Sequence, residues 1–247
     1  MTSGSATAYS PWFVRPQSAE YPARIFCLPF SGTGASAFSA WPAAIGDAEV
    51  CPVQFPGREN RLAETHYGTY ENLADSLTEA LEPRLDRPYA FFGHCAGVLP
   101  AFETVIRLAE RGLPQPDCFF VSGQPAPHDE AADRMLDMTE SELRGELETF
   151  VRGRGFEPRK DMIDVGLDVL LRDQAAARVY RRAQPARLSC PIVVLHWQDD
   201  PEVSLAQLQG WRQYSDSVDF EVVEGGHYDF MNAPEALLGL LTGWRRT

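Results

Sequence analysis

The residues with the clearest chemical potential stand at positions 93–97, which read Gly-His-Cys-Ala-Gly. This run has the form of a nucleophile elbow, Gly-x-Ser-x-Gly, with Cys95 where serine usually stands. Such an elbow holds the nucleophile on a sharp turn between a strand and a helix, and its glycines let neighbouring backbones approach closely. The motif therefore predicts that Cys95 is a nucleophile. Taken alone, however, the motif would favour a buried structural cysteine in an ordinary strand-turn-helix.

The sequence on either side of the elbow predicts the elements that must position it. Residues 89–92 read Tyr-Ala-Phe-Phe, a short apolar run typical of a buried strand. Residues 99–112 repeat apolar side chains at helical spacing, and Gly112 is a suitable helix end. The flanking sequence thus predicts the strand and the helix that an elbow joins, and the partners found downstream are what favour the elbow over a structural cysteine.

The partners that a nucleophile elbow requires follow in the expected order along the chain, an acid and then a histidine. The strand pattern at 190–196 leads to Asp199 and Asp200, and the strand pattern at 219–223 leads to a Gly-Gly pair and His227. We predict a catalytic triad of Cys95, Asp200 and His227, because Asp200 stands at the turn before a proline. Asp199 is the rival acid, and an Asp-Asp-Pro turn with no catalytic task is the alternative.

Strand-like and helix-like segments alternate along most of the chain. This predicts an α/β protein with the α/β-hydrolase fold, in which a mostly parallel central sheet carries helices on both faces. We interpret residues 1–247 as one domain. Residues 129–182 contain only helical, charge-rich patterns and are predicted to form an inserted helical lid. Strands are also predicted at 24–29, 48–55 and 118–122, and helices near 37–41 and at 70–81, 205–214 and 233–244.

Composition excludes several functional classes. A formal net charge of −13 argues against nucleic acid as a partner. No apolar run of about 18 residues is present and the first ten residues do not resemble a signal peptide, so we expect a cytoplasmic protein that does not enter a membrane. The five cysteines include no Cys-x-x-Cys pair, which predicts reduced thiols. No histidine has metal-ligand spacing, and we predict no metal site.

At the level of the whole chain, the sequence resembles the type II thioesterases that accompany nonribosomal peptide and polyketide synthases. Residues 27–32 resemble the strand and Pro-His-Ala-Gly-Gly segment near the start of that family, and residues 55–59 resemble its Tyr-Pro-Gly-Arg segment. Each match is weak singly, but together and in order they are specific. The remaining matching positions are Trp41, Arg61, Glu64, 122–123, 126–128, 171–173, Tyr180, 190–192 and 225–227.

The resemblance implies a substrate and further site residues. The substrate would be an acyl group held as a thioester on the phosphopantetheine arm of an acyl or peptidyl carrier protein, with no cofactor of the enzyme's own. The backbone N–H groups of Ala96 and Ser31 would form the oxyanion hole. Phe30 replaces the family's usual histidine and Trp197 one of its usual glycines, and both are expected to affect substrate binding. We also expect a monomer, with lid residues Arg152, Arg154, Arg159 and Lys160 as candidates for carrier docking.

The cysteine leaves the reaction type open. An acyl group on Cys95 is a thioester, with nearly the same energy as the pantetheine thioester from which it came, so loading is close to isoenergetic. Hydrolysis by water activated at His227 is the first hypothesis. The alternatives are transfer of the group to a second carrier thiol and a non-catalytic binding protein with a hydrolase fold. A cysteine engineered in place of serine would give the same motif.

Overall fold

A computed structural model describes residues 10–129 and 134–244 of the chain. Its centre is a seven-stranded sheet of order β2-β3-β1-β4-β5-β6-β7, in which only β2 is antiparallel to its neighbour. This agrees with the predicted mostly parallel sheet. The strands are β1 (Ala23–Leu28), β2 (Ala44–Ile45), β3 (Ala48–Pro52), β4 (Tyr89–His94), β5 (Cys118–Ser122), β6 (Ile192–Trp197) and β7 (Val218–Val223).

Alternating side chains of each central strand enter two hydrophobic cores, one on each face of the sheet. In β4, Phe91 belongs to the first core and Phe92 to the second. Helices α1 (Tyr70–Leu81) and α2 (Val98–Glu110) cover the first face, and α5 (Glu235–Leu240) covers the second. The fold is therefore the predicted α/β-hydrolase type, and β4 is buried on both sides as its apolar sequence requires.

The segment between β5 and β6 holds two longer helices, α3 (Glu140–Gly153) and α4 (Lys160–Val179). The helix α3 begins with a capping box, in which Thr139 and Glu142 satisfy each other's backbone N–H groups. The two helices pack on each other through Leu143, Leu167 and Leu170. Within 129–182, the part that the structure describes contains helices and turns but no strand. A lid function for this segment stays a prediction.

Three predicted helices are wrong in type or extent. The predicted helix at 205–214 is only a 3₁₀ turn at Gln209–Gln213. Its Trp211 is buried in the core, where the indole N–H donates to the Gln124 carbonyl at 2.7 Å. The predicted helix at 233–244 is shortened to α5, since Ala233 has a left-handed φ of 51° and Pro234 precedes the first helical residue. The helix predicted near Ala37 is likewise a 3₁₀ turn at Ala35–Phe38.

Candidate active site

The structure places Cys95 on a sharp turn where β4 meets α2. Its backbone φ is 49°, in the left-handed region that a residue with a side chain rarely occupies. A Cβ atom on Gly97 would lie 2.3 Å from the Pro29 carbonyl oxygen, and one on Gly93 would lie 2.7 Å from the Val98 Cα. Both glycines are therefore needed for close packing: Gly97 lets the end of β1 approach the elbow, and Gly93 lets the first turn of α2 do so.

The other two predicted triad residues meet at the same edge of the sheet. Asp200 follows β6, His227 follows β7, and the Asp200 Oδ2 lies 2.8 Å from the His227 Nδ1. The second carboxylate oxygen of Asp200 accepts the backbone N–H groups of Glu202 and Val203 at 2.8 and 3.2 Å. The acid is thus fixed by its own loop. Asp199 is exposed, and its backbone N–H donates to the Gly225 carbonyl, so it does not reach the histidine.

His227 is almost fully buried and its surroundings favour the protonated ring. Burial disfavours the charged imidazolium, but the hydrogen bond with Asp200 and the neighbouring Cys95 outweigh it and raise the pKa of His227 to about 10. A positive imidazolium beside a thiol stabilises the thiolate, which is the nucleophilic form. His94 behaves oppositely. Burial and the nearby His227 hold the pKa of His94 well below its usual value, so this ring stays neutral.

We expect Cys95 to react with iodoacetamide faster than any other thiol of the protein. The remaining four cysteines are buried, and burial raises the pKa of Cys190 to about 12 and of Cys27 still higher. Because the pKa of His227 is raised to about 10, the imidazolium that favours the Cys95 thiolate persists between about pH 7 and 9, and the alkylation rate should vary little over that range.

The His227→Ala variant is the control for this profile. Without the imidazolium, the alkylation rate should be lower at pH 7 and should rise with pH as for an ordinary thiol with a pKa of about 8.5. Mass spectrometry of the modified peptide identifies the residue. A wild-type pH profile that matches that of His227→Ala would contradict a thiolate–imidazolium pair.

The two residues proposed for the oxyanion hole lie on either side of the elbow. Ala96 is the first residue after Cys95, and Ser31 lies in the loop after β1. Both line a small cavity, of about 10 Å³, together with Phe30. Cys95 is not among the residues that line this cavity, and the role of the two N–H groups as an oxyanion hole stays a prediction.

The two residues expected to bind substrate have different placements. Phe30 lies at the site, and its ring centroid is 5.2 Å from that of Tyr228 and 6.1 Å from that of Phe150 in α3. Trp197 has no exposed surface, and its indole N–H donates to the Ser122 Oγ at 2.9 Å. Trp197 therefore packs in the core below the site and has no surface that a substrate could contact.

A cleft of about 570 Å³ opens beside the elbow, between the core and the lid segment. Ala96 and Leu99 line it on the core side, while Tyr180 and Arg181 line it at the end of α4. A second cavity, of about 420 Å³, lies around Asp117 at the opposite end of the strands and is remote from Cys95. The first cleft reaches Ala96, the neighbour of Cys95, and is therefore the candidate route for a substrate to the nucleophile.

The structure also brings in a carboxylate that the sequence analysis missed. The Glu202 side chain is 6% exposed, and its carboxylate lies 3.8 Å from the His227 Nε2 and 3.6 Å from the Arg134 Nε. It adds negative charge beside the imidazolium. Tyr228 was missed as well, although an aromatic residue directly after the predicted histidine was a visible signal. Nothing in the sequence distinguished Glu202 from the other acids of its loop.

The four basic residues suggested for carrier docking lie at the surface of the lid segment. Each has a polar partner close by, so they do not form a bare positive patch. The pairs are Arg152 with Glu148, Arg154 with Asn232, Arg159 with Asp161 and Lys160 with Asp164. Among residues 10–129 and 134–244, no three His, Cys, Asp or Glu side chains are grouped as a metal ion requires, and no helix there is long and apolar enough to span a membrane.

Comparison with known proteins identifies the family of the chain and solved structures with a similar fold. The sequence model of the family described as Thioesterase domain matches residues 23–244. Thioesterase PikA5 of Streptomyces venezuelae is 33% identical over 212 residues, which cover 83% of this chain and 74% of PikA5. The RedJ thioesterase from the prodiginine biosynthetic pathway of Streptomyces coelicolor has a TM-score of 0.78 and 33% identity, covering 95% and 98% of the two chains. The type II thioesterase BorB from the borrelidin biosynthetic cluster has a TM-score of 0.80 and 29% identity, covering 98% and 99%.

Proposed function

Because this chain belongs to the thioesterase domain family and to the thioesterases of nonribosomal peptide and polyketide biosynthesis, we propose that it removes acyl or aminoacyl groups from carrier proteins through Cys95. The observation that carries this proposal is the elbow cysteine beside a histidine whose Nδ1 lies 2.8 Å from the Asp200 carboxylate. The substrate would be a thioester on the phosphopantetheine arm of an acyl or peptidyl carrier protein.

The proposed reaction begins with acylation of the enzyme. The Cys95 thiolate attacks the thioester carbonyl carbon, and the negative charge that develops on the oxygen is stabilised by the backbone N–H groups of Ala96 and Ser31. The bond between the acyl carbon and the pantetheine sulfur then breaks. His227 gives its proton to the departing sulfur, and the Cys95 thioester remains.

Deacylation returns the enzyme to its starting state. His227 is now neutral and accepts a proton from water as that water attacks the Cys95 thioester. The bond to the Cys95 sulfur breaks, the free acid leaves, and the thiolate–imidazolium pair is restored. Asp200 holds the ring in the tautomer that presents Nε2 to the reacting groups in both steps.

The cleft between the core and residues 129–182 suits the arm of a carrier protein. It begins at Ala96, and Arg178 and Arg181 line it at the end of α4. Either guanidinium can bind the phosphate of the arm, while Asp129 and Asp137 also line the cleft, so its lining carries no net positive charge. On this proposal, residues 129–182 form a lid that covers the cleft, and the protein acts as a cytoplasmic monomer.

Transfer to a second carrier is the competing function, and the cysteine itself favours it. A thioester intermediate exchanges readily with an incoming thiol, whereas the oxoester of a serine enzyme does not do so as easily. We place hydrolysis first, because the similarity to thioesterases extends over nearly the whole chain and the cysteine is a single substitution.

The test is intact-protein mass spectrometry with an acyl-loaded carrier protein, with and without a second carrier that bears a free thiol. We expect the acyl mass to appear on the enzyme at Cys95 and free acid to accumulate at a rate that the second carrier does not change. Faster loading of the second carrier than release of free acid would identify a transferase. Binding without any covalent adduct or product would identify a binding protein.

A further inference from the structure

A buried carboxylate in the lid segment is bound to the loop that carries the proposed oxyanion donor. Asp173 of α4 is 1% exposed, and one of its oxygens accepts the backbone N–H of Gly32 at 2.7 Å. Gly32 directly follows Ser31, although Asp173 is 141 residues further along the chain. The sequence motifs around residues 55–59 and 171–173 contribute no residue to the triad. They meet here instead, because Arg58 of the first motif binds Asp173 of the second.

The Asp173 carboxylate is fixed by an unusually complete set of donors. Arg58 binds both of its oxygens at 2.7 Å, Tyr67 donates its hydroxyl at 2.7 Å, and the His66 Nε2 lies 2.8 Å away. Burial disfavours the charged carboxylate, but Arg58, His66 and Gly32 outweigh it and hold the pKa of Asp173 far below its usual value. Asp173 is therefore a permanent anion at a fixed position.

The loop that receives this contact is a tight turn. The Thr33 N–H donates to the Phe30 carbonyl at 3.2 Å, and Gly32 has a φ of 78°, which is typical of the third residue of a type II turn. Arg58 also donates to the Thr33 carbonyl at 3.0 Å. A Cβ atom on Gly32 would lie 3.4 Å from Leu170, so α4 packs directly against the turn.

These contacts hold the peptide groups on both sides of Ser31. An oxyanion hole works only when its donors are aligned before the charge develops, because reorienting them during the reaction costs free energy. We propose that Asp173 is a positioning residue that fixes the Ser31 N–H of the oxyanion hole through its own contact with the Phe30–Thr33 turn. This inference rests on the proposed function.

The proposal separates two reactions of the same sulfur. Acylation by a pantetheine thioester passes through an oxyanion and needs the aligned N–H. Alkylation by iodoacetamide forms a carbon–sulfur bond with loss of iodide, and no oxyanion develops. The ratio of the two rates therefore reports the oxyanion hole, whereas a change in the thiolate or in folding would alter both rates together.

The test compares Asp173→Asn with wild type in this ratio, using whichever of propionyl-, octanoyl- or alanyl-pantetheine acylates the wild type fastest. Loss of one oxyanion donor costs about 10²- to 10³-fold, so a misaligned donor should lower the acylation rate by about 10- to 100-fold. The alkylation rate of Cys95 should stay within about twofold of wild type, because the described hydrogen bonds of Asp173 go to Gly32, Arg58, His66 and Tyr67 and not to the triad.

Glu103→Gln is the matched control. Glu103 of α2 is also a buried carboxylate that ties the lid segment to the core, through the Tyr180 hydroxyl at 2.7 Å and the Arg182 Nε at 3.0 Å. None of its hydrogen bonds reaches the Phe30–Thr33 turn. This variant should lose thermal stability as Asp173→Asn does, yet keep the wild-type ratio of acylation to alkylation.

An unchanged ratio in Asp173→Asn would overturn the proposal, as would an equal fall in Glu103→Gln. If Asp173→Asn does not fold, Arg58→Lys takes its place, because lysine keeps the positive charge but cannot form the bidentate hydrogen bond with Asp173. A wild-type ratio in a folded Arg58→Lys would also overturn it. If none of the pantetheine thioesters acylates the wild type while iodoacetamide still alkylates Cys95, the proposed function itself fails.

Discussion

Replacement of Cys95 by alanine is expected to abolish the acyl-enzyme and to reduce thioester turnover by about 10⁶-fold, the scale found when a triad nucleophile is removed. The physical reason is that no other described thiol combines partial exposure with a neighbouring imidazolium. The other four cysteines are buried, and alanine at position 95 fits the same turn without a reactive atom.

The measurement is the mass of the intact enzyme after incubation with an acyl-loaded carrier, together with the rate of free acid release. Circular dichroism should show that Cys95→Ala is folded as the wild type is. An undiminished acyl adduct on Cys95→Ala would show that the nucleophile lies elsewhere.

Serine at the same position makes the experiment informative about the products as well. In Cys95→Ser the intermediate is an oxoester, which exchanges poorly with thiols but still reacts with water. If the protein is a hydrolase, free acid should dominate in both the wild type and the variant. If it is a transferase, the serine variant should shift its products toward free acid or stop at the acyl-enzyme, and acceptor loading should fall.

The second large effect is expected at Asp200. Exchange of the triad aspartate for asparagine costs about 10⁴-fold in a serine protease, because the histidine is then held in the wrong tautomer. We expect a loss of up to about that size in Asp200→Asn, reduced to the extent that a thiolate needs less help than a hydroxyl. Asp200 raises the pKa of His227, so the pKa of this histidine should be lower in the variant. The fall in activity on the alkaline side of the pH profile should therefore begin at a lower pH than in the wild type.

Asp199→Asn is the natural control, since it makes the same chemical change one residue earlier on the chain. Asp199 is exposed and joins the neighbouring loop only through its backbone, so this variant should retain wild-type activity. Steady-state rates across a range of pH compare the two variants. Greater damage from Asp199→Asn than from Asp200→Asn would show that the acid has been misidentified.

Much of the architecture followed from local patterns. The apolar run of β4, the two glycines around Cys95 and the amphipathic helix after it are all local signals, and the structure has the predicted turn between β4 and α2. Alternation of strands and helices also predicted a mostly parallel sheet, because parallel neighbours need a crossover between them. The helix predicted at 205–214 failed for the complementary reason. The apolar residues there do recur at helical spacing. However, the rings of Trp211 and Tyr214 pack onto α2 and β5, and with this packing the segment forms a 3₁₀ turn instead of the predicted α-helix.

The sequence by itself determined the residue types, their order and the elements that carry them. It favoured Asp200 over Asp199 from a proline, and it identified Cys95 and His227 as candidates from glycines that permit close approach. Only the tertiary structure decided the contacts between distant segments. It buried Trp197 beneath the site, placed Glu202 beside His227 and joined Asp173 to Gly32. The physical reason is that such contacts depend on how two loops, or a helix and a loop, pack in space. The local sequence around either residue gives no signal of which distant residue it will contact.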